Sequence, residues 1–229
     1  ISGTVPPNPG PPDLLPGSDT GFSNTDNLTN ATSPQFTGEA LPGGGAVSLY
    51  SNINGLIGSG PTDANGFWTI TAGGLSDGVH NITVRQGTSP DSDPLVVTID
   101  YTPPPAPNVP DLFAASDSGT SNTDNLTNVT TPSFTVVSQA GNRVELLADT
   151  TVVASLISTG TNTLVSSALT DGNRSIAARC VDPAGNIGTP SGVLPVTIDT
   201  LPASYPLNMR ITAATDTGAS NADNVTNNI

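Results

Sequence analysis

The sequence predicts an all-β protein made of tandem β-sandwich domains, and three features carry that prediction. Short runs of Val, Ile and Thr recur between clusters of Gly, Pro, Asn and Asp, with no helical periodicity of useful length. The 229 residues include 24 Gly and 22 Pro, a turn-rich composition. The chain also repeats itself: "SNTDNLTN" at 23–30 returns unchanged at 121–128, and "SNADNVTN" follows at 220–227. Asp19, Asp117 and Asp216 open the same motif at intervals of 98 and 99 residues, the size of one small β domain.

The flanking segments obey the same spacing. "PPNPGPPDLL" (6–15) superposes on "PPAPNVPDLF" (104–113), Phe36 falls on Phe134, and "LSDGVHNITVR" (75–85) matches "LTDGNRSIAAR" (169–179). The first repeat reads as about seven short strands near 13–16, 35–40, 46–51, 55–59, 67–71, 80–85 and 95–100. Alternation is clear in "AVSLY" and "HNITVR", and "PGGG", "DANG", "SDG" and "SPDSDP" supply the turns between strands. Seven strands in such a length fit immunoglobulin-like Greek-key sandwiches. Phe36, Val47, Leu49, Trp68, Ile70, Ile82, Val84, Val97 and Ile99 are the expected inward face. The second repeat lacks "DANGFW", so its fifth strand is less clearly marked.

The segment "PQFTGEALPGGGAVSLYSNINGLIGSGPTDANGFWTITAGGLSDGVHNITVR", with "SDTGFSNTDNLTN" before it, resembles the bacterial Ig-like domains repeated in giant calcium-dependent surface adhesins of the RTX and biofilm-associated kind. In such a sandwich the "SNTDNLTN" loop lies between the first two strands, at the pole facing the next domain. The resemblance therefore implies that Asp19, Asp26 and Asp100 converge at one junction, and Asp117, Asp124 and Asp199 at the next, with Asp216 and Asp223 as the third copy. The facing loop of repeat 2, "DPAGN" (182–186), offers Asp182 as a cross-domain ligand, whereas repeat 1 has "SPDSDP" (89–94) there, with Asp91 and Asp93. Crowded carboxylates repel one another unless a cation shares them, and Ca2+ takes six to eight oxygens from carboxylates, Asn side chains and carbonyls in flexible geometry. The implied cofactor is structural calcium. The same residues are also ordinary turn formers that make Asx-turns without metal.

Composition narrows the function further. Five basic residues stand against 19 acidic ones, for a net charge of −14, which repels nucleic acid and attracts multivalent cations. No apolar run is long enough for a membrane-spanning helix. The single cysteine, Cys180, has no partner for an internal disulfide and reads as a small core residue. The single histidine, His80, has Arg174 as its repeat counterpart and reads as a surface strand residue without catalytic or zinc partners. Trp68 reads as core, with Phe67 pointing the other way. No catalytic site is expected.

The expected organisation is a linker at 1–10, a first Ig-like domain at 11–102, a Pro-rich linker at 103–108, a second domain at 109–200 and the start of a third repeat at 201–229. The chain opens in a proline-rich stretch and ends inside the third copy, so a longer parent chain is expected. The function this implies is an extracellular stalk of a bacterial surface adhesin, its partners being neighbouring repeats and Ca2+ fixing their junctions. Two alternatives stand beside it: a subunit of a self-assembling filament or surface layer, joined to other copies by strand addition, and a glycan- or protein-binding module.

Overall fold

The computed structural model describes residues 7–203. Period-two alternation sets the inward face of each strand. In the first domain the strands are β1 (Asp13–Leu14), β2 (Leu28–Thr29), β3 (Gln35–Glu39), β4 (Val47–Ser51), β5 (Gly55–Gly60), β6 (Phe67–Thr71), β7 (Gly78–Gln86) and β8 (Leu95–Ile99). They form a three-stranded sheet, β1-β3-β6, and a five-stranded one, β2-β8-β7-β4-β5. The second domain repeats this order with β9 (Asp111–Leu112), β10 (Leu126–Thr127), β11 (Ser133–Val137), β12 (Arg143–Ala148), β13 (Thr151–Ile157), β14 (Thr161–Val165), β15 (Gly172–Val181) and β16 (Leu194–Ile198).

Each sandwich therefore has eight strands, one more than expected. The extra strand lies inside the repeated polar loop: Leu28 and Thr29 pair in parallel with Thr98 and Ile99, and Leu126 and Thr127 do the same with Thr197 and Ile198. All other pairings between these strands are antiparallel. A two-residue strand within Ser, Asn, Thr and Asp carries no hydrophobic alternation, so its pairing is invisible in the pattern.

All nine expected core residues of the first domain are buried together, joined by Leu14, Ile57, Ala72 and Leu75. The second core is built around Phe134, Leu146, Leu164, Ile176 and Ile198. The "LSDG" and "LTDG" turns precede equivalent strands, β7 and β15. Cys180 is fully buried, and burial pushes its thiol pKa up, away from the thiolate that reactive cysteines need.

His80 departs from its expected place. It is fully buried, because it is in phase with Ile82 and Val84 on β7. Its Nε2 lies 2.8 Å from the Ser76 carbonyl and so carries the proton, leaving Nδ1 to accept from Ser51 Oγ at 2.8 Å. Its counterpart Arg174 instead reaches outward to Asp149.

The two domains fill one position in the three-stranded sheet differently. In the first, Gly38 stands opposite Trp68, and a Cβ on Gly38 would lie 2.6 Å from Trp68 Cζ2. The missing side chain makes room for the indole. In the second, Val136 stands opposite Asn162. Asn162 Nδ2 donates to the Val136 and Gly160 carbonyls, so a polar residue serves the backbone while valine supplies the apolar volume. Loss of "DANGFW" thus leaves β14 intact. Gly38→Val is expected to overpack the first domain and cost about 1–3 kcal/mol. Trp68, the only tryptophan, reports it as a lowered midpoint in fluorescence-detected unfolding.

Candidate functional site at the domain junction

The junction begins with the loop joining β1 to β3, which leaves their three-stranded sheet, forms β2 on the edge of the five-stranded one and returns. Backbone groups in such a crossing need partners, and its own side chains supply them. Asp19 Oδ2 accepts from the Asn27 amide at 3.1 Å, Asp26 Oδ1 from the Leu28 amide at 3.2 Å, and Ser18 Oγ from the Gln35 amide at 2.9 Å. Thr29 Oγ1 donates to the Ser18 carbonyl at 2.6 Å. Asn27 sits in the left-handed region at φ 58°, which Asn tolerates better than most residues.

The second domain repeats the scaffold bond for bond. Asp117 Oδ2 accepts from Asn125, Asp124 Oδ1 from Leu126 and Ser116 Oγ from Ser133, while Thr127 Oγ1 donates to the Ser116 carbonyl. Asn125 has φ 59°. Much of the near-identity of the loop therefore serves the crossing itself.

One carboxylate oxygen in each copy has no such role. Asp19 and Asp117 are 4% and 5% exposed, and Oδ1 of each is buried without a hydrogen-bond partner. Burial, and secondarily the charge on Asp26, raise the Asp19 pKa above the usual carboxylate value. Beside Asp117 a cavity of about 220 Å³ is lined by Asp111, Asn122, Thr123 and Asn125 as well. This oxygen-rich lining suits a hard cation. Sequence reasoning passed over Asp111. Its signal was present, since Asp13 and Asp111 occupy the same place in the superposed proline segments.

The loop of the first domain meets "DPAGN" of the second, as its expected polar position implies. Thr20 Oγ1 donates to the Ala184 carbonyl at 2.9 Å, the Phe22 amide to the Pro183 carbonyl at 3.1 Å, and Asn186 Nδ2 to the Asp100 carbonyl at 2.7 Å. The Arg143 guanidinium lies 5.3 Å from the centre of the Phe22 ring, within cation–π range. Two glycines make the approach: a Cβ on Gly21 would sit 2.0 Å from the Pro183 carbonyl oxygen, and one on Gly185 3.0 Å from Gly21 Cα. Both have positive φ, 97° and 99°.

The expected ligands are divided between two places. Asp100 and Asp182 line one cleft of about 450 Å³ between the domains, together with Pro104 and Asn142. Asp182 spends both oxygens on Asn186, at 2.8 and 2.9 Å, and Asp100 Oδ1 accepts from the Thr102 amide. Asp19 and Asp26 belong to the crossing loop and do not line that cleft. Asp199 donates its amide to the Thr127 carbonyl, as Asp100 does to Thr29. Asp91 pairs with Arg85 at 2.9 Å. Asp216 and Asp223 lie outside the described residues. Among the described residues, no three carboxylate, imidazole or thiol side chains gather as a metal-holding group, so a cation here would draw mainly on Asn, Thr and carbonyl oxygens.

A family model described as bacterial Ig-like domain matches residues 5–101 and again 103–200. The chain belongs to the bacterial Ig-like domain family. The match makes two tandem copies and indicates no catalytic family. No curated protein matches. Among solved structures, the chain is similar to a biofilm-associated protein BSP domain, at 13% identity and a TM-score of 0.30, covering 85% of this chain and 30% of that one. A C-terminal intimin fragment in complex with its translocated receptor's intimin-binding domain is similar at 12% identity and a TM-score of 0.38, over 76% of this chain and 62% of that one. The fibronectin(III)-like modules of Clostridium thermocellum CbhA give 15% identity and a TM-score of 0.47, over 90% of this chain and 97% of that one. The chain thus spans less than two thirds of the biofilm-associated and intimin chains it matches.

The raised Asp19 pKa has a defined consequence in metal-free buffer. A carboxyl whose folded pKa exceeds its unfolded value of 3.8 binds its proton more tightly in the folded state. Its contribution to stability is present at low pH and is lost as pH rises through the elevated folded value. With chelator present, the Trp68-reported melting temperature of the first domain should therefore carry a downward pH slope in that window. Asp19→Asn, which keeps an acceptor for the Asn27 amide, should remove it.

Proposed function

We propose that these domains are spacer repeats in the extracellular stalk of a bacterial surface adhesin, and that Ca2+ stiffens them. The carrying observation is the joint itself. Three hydrogen bonds, a cation–π contact and a glycine-to-glycine approach connect the loop of one domain to the next, beside a proline-rich linker that favours extended conformations. A chain built to hold successive sandwiches in a set relation suits projection of a distal module. No helix among the described residues is long and apolar enough to cross a membrane, and the deep negative charge suits a calcium-rich exterior.

The buried, unpartnered Oδ1 atoms of Asp19 and Asp117 fit a cation. Asp117 would hold it with oxygens from Asp111, Asn122 and Thr123, and the first domain would use Asp19 with the matching residues Asp13, Asn24 and Thr25. The ion would neutralise the buried carboxylates and tie the crossing loop to the first strand. Asp100 and Asp182 give the interdomain cleft its negative charge and would draw a second ion there.

Calorimetric titration with Ca2+ alone, paired with solution scattering, tests this. Saturable binding is expected, with a narrower distribution of interdomain distances in Ca2+ than in chelator and unchanged β content by circular dichroism. Asp19→Asn and Asp117→Asn together should abolish the loop binding. Identical scattering profiles in Ca2+ and chelator would remove calcium from the mechanism.

A further inference from the structure

The loop that crosses between sheets presents the same face in both domains, but among the described residues only one of those faces is occupied. In the first domain, Thr20, Gly21 and Phe22 receive the Pro183–Ala184–Gly185 turn of the second, with the Thr20 hydroxyl and the Phe22 amide both donating to its carbonyls. In the second domain the matching residues are Ser118, Gly119 and Thr120. The scaffold behind them is the same: Ser118 Oγ accepts from the Asn128 amide at 2.9 Å and lies 2.8 Å from Asn128 Oδ1, as Thr20 Oγ1 lies against Asn30, so the single hydroxyl proton is shared between that Oδ1 and a docked carbonyl. Gly119 has φ 113° where Gly21 has 97°, yet a Cβ on Gly119 would meet nothing within 4 Å among the described residues.

The second domain thus carries both halves of the joint. Its Pro183–Gly185 turn is filled by the domain before it, and no described residue covers its Ser118–Thr120 face at Gly119. The first domain lacks the donor half, because the loop between β7 and β8 reads "SPDSDP" and Asp91 there is held by Arg85.

We propose that Ser118, Gly119 and Thr120 form a docking face for the Pro-Ala-Gly turn of another Ig-like domain of this type, and that this backbone contact works without a metal ion. The occupant is set by three requirements taken from the filled copy. The turn must bring carbonyls to the hydroxyl and amide donors, it must have glycine where Gly185 stands, and it must follow a strand equivalent to β15. An "SPDSDP" loop follows such a strand, β7, but has no glycine at that place and adds carboxylates to an already acidic pole. The joint accordingly selects which repeats stand next to one another: among the described residues the one Pro-Ala-Gly turn is held by the first domain, so an intact joint leaves it unavailable to the Ser118–Thr120 face. The inference rests on the spacer reading for its purpose but takes nothing from calcium, so its test is run in chelator.

Gly21→Ala and Gly119→Ala are compared in the full chain. Both place alanine at a positive φ in the same loop, so both suffer the same local strain. Only Gly21→Ala drives a Cβ into Pro183. Hydrogen exchange at the Phe22 amide and solution scattering should show protection lost and the interdomain distribution widened in Gly21→Ala, while Gly119→Ala retains both wild-type values. Equal behaviour of the two variants would overturn the latch. In Gly21→Ala the donor turn is released, and at about 1 mM, where contacts of this size begin to associate, amide resonances of residues 118–128 should shift with concentration. The Gly21→Ala/Gly119→Ala chain should show no such shift. An opened joint with concentration-independent resonances at 118–128 would overturn the docking face, and intact β circular dichroism in each variant excludes unfolding as the source of either result.

Discussion

The hydrogen bond from the Asn27 amide to Asp19, and its copy between Asn125 and Asp117, hold together the step on which the rest of the architecture depends. A chain leaving the edge of one sheet for the edge of the other must give up ladder partners on the way, and each lost partner is costly once buried. Here the crossing is lined with short side chains that bond back to the backbone, and an asparagine at positive φ makes the bend. The outcome is a two-residue parallel strand against the last strand of the domain. That pairing closes the five-stranded sheet, fixes the pole of the sandwich, and points a glycine at the next domain. Fold and joint are two consequences of the same loop.

This explains which parts of the molecule the sequence disclosed. Core strands announce themselves by alternation, so Phe36, Leu49, Ile82 and Val97 could be placed inward from pattern alone, and all are buried. His80 was within reach of the same logic, two residues from Ile82 on one face, but its repeat counterpart Arg174 argued for the surface. Only the structure shows Ser51 and Ser76 meeting both ring nitrogens. The polar loop was recognisable as special because it repeats. What it does was hidden, since a two-residue strand has no hydrophobic signature, and the choice between a carboxylate that caps an amide and one that waits for a cation depends on atoms. Asp19 turns out to be both: Oδ2 bonds the backbone and Oδ1 has no partner. Asp100 and Asp182 do share one interdomain cleft, while Asp19 and Asp26 stay with the crossing.

The charge distribution separates structural carboxylates from those left to act at a distance. Every arginine among the described residues pairs with an acid of its own domain: Arg85 with Asp91, Arg143 and Arg179 with Glu145, and Arg174 with Asp149. These are surface or partly exposed pairs, each contributing at most about 1 kcal/mol. They also occupy all four described arginines. The described aspartates of the crossing loops and the cleft rely instead on amide donors, among them Asn27 to Asp19, Asn125 to Asp117 and Asn186 to Asp182.

That imbalance bears on how stiff the joint is. Three hydrogen bonds across it contribute roughly 1 kcal/mol each, and the Arg143–Phe22 contact about 0.5–1 kcal/mol. A total of about 3–4 kcal/mol would amount to a millimolar complex between separate domains. The short linker at 101–110, with five prolines, supplies an effective concentration of similar order. Affinity and effective concentration of comparable size leave a joint that is closed much of the time yet opens on a free-energy scale of about RT to a few RT. Direct contacts thus define the geometry, through two glycines that admit no side chain between the domains. They do not by themselves lock it. An ion that removed the repulsion between carboxylates on opposite sides of the cleft would act on the remaining term, deepening a minimum whose position the backbone has already chosen.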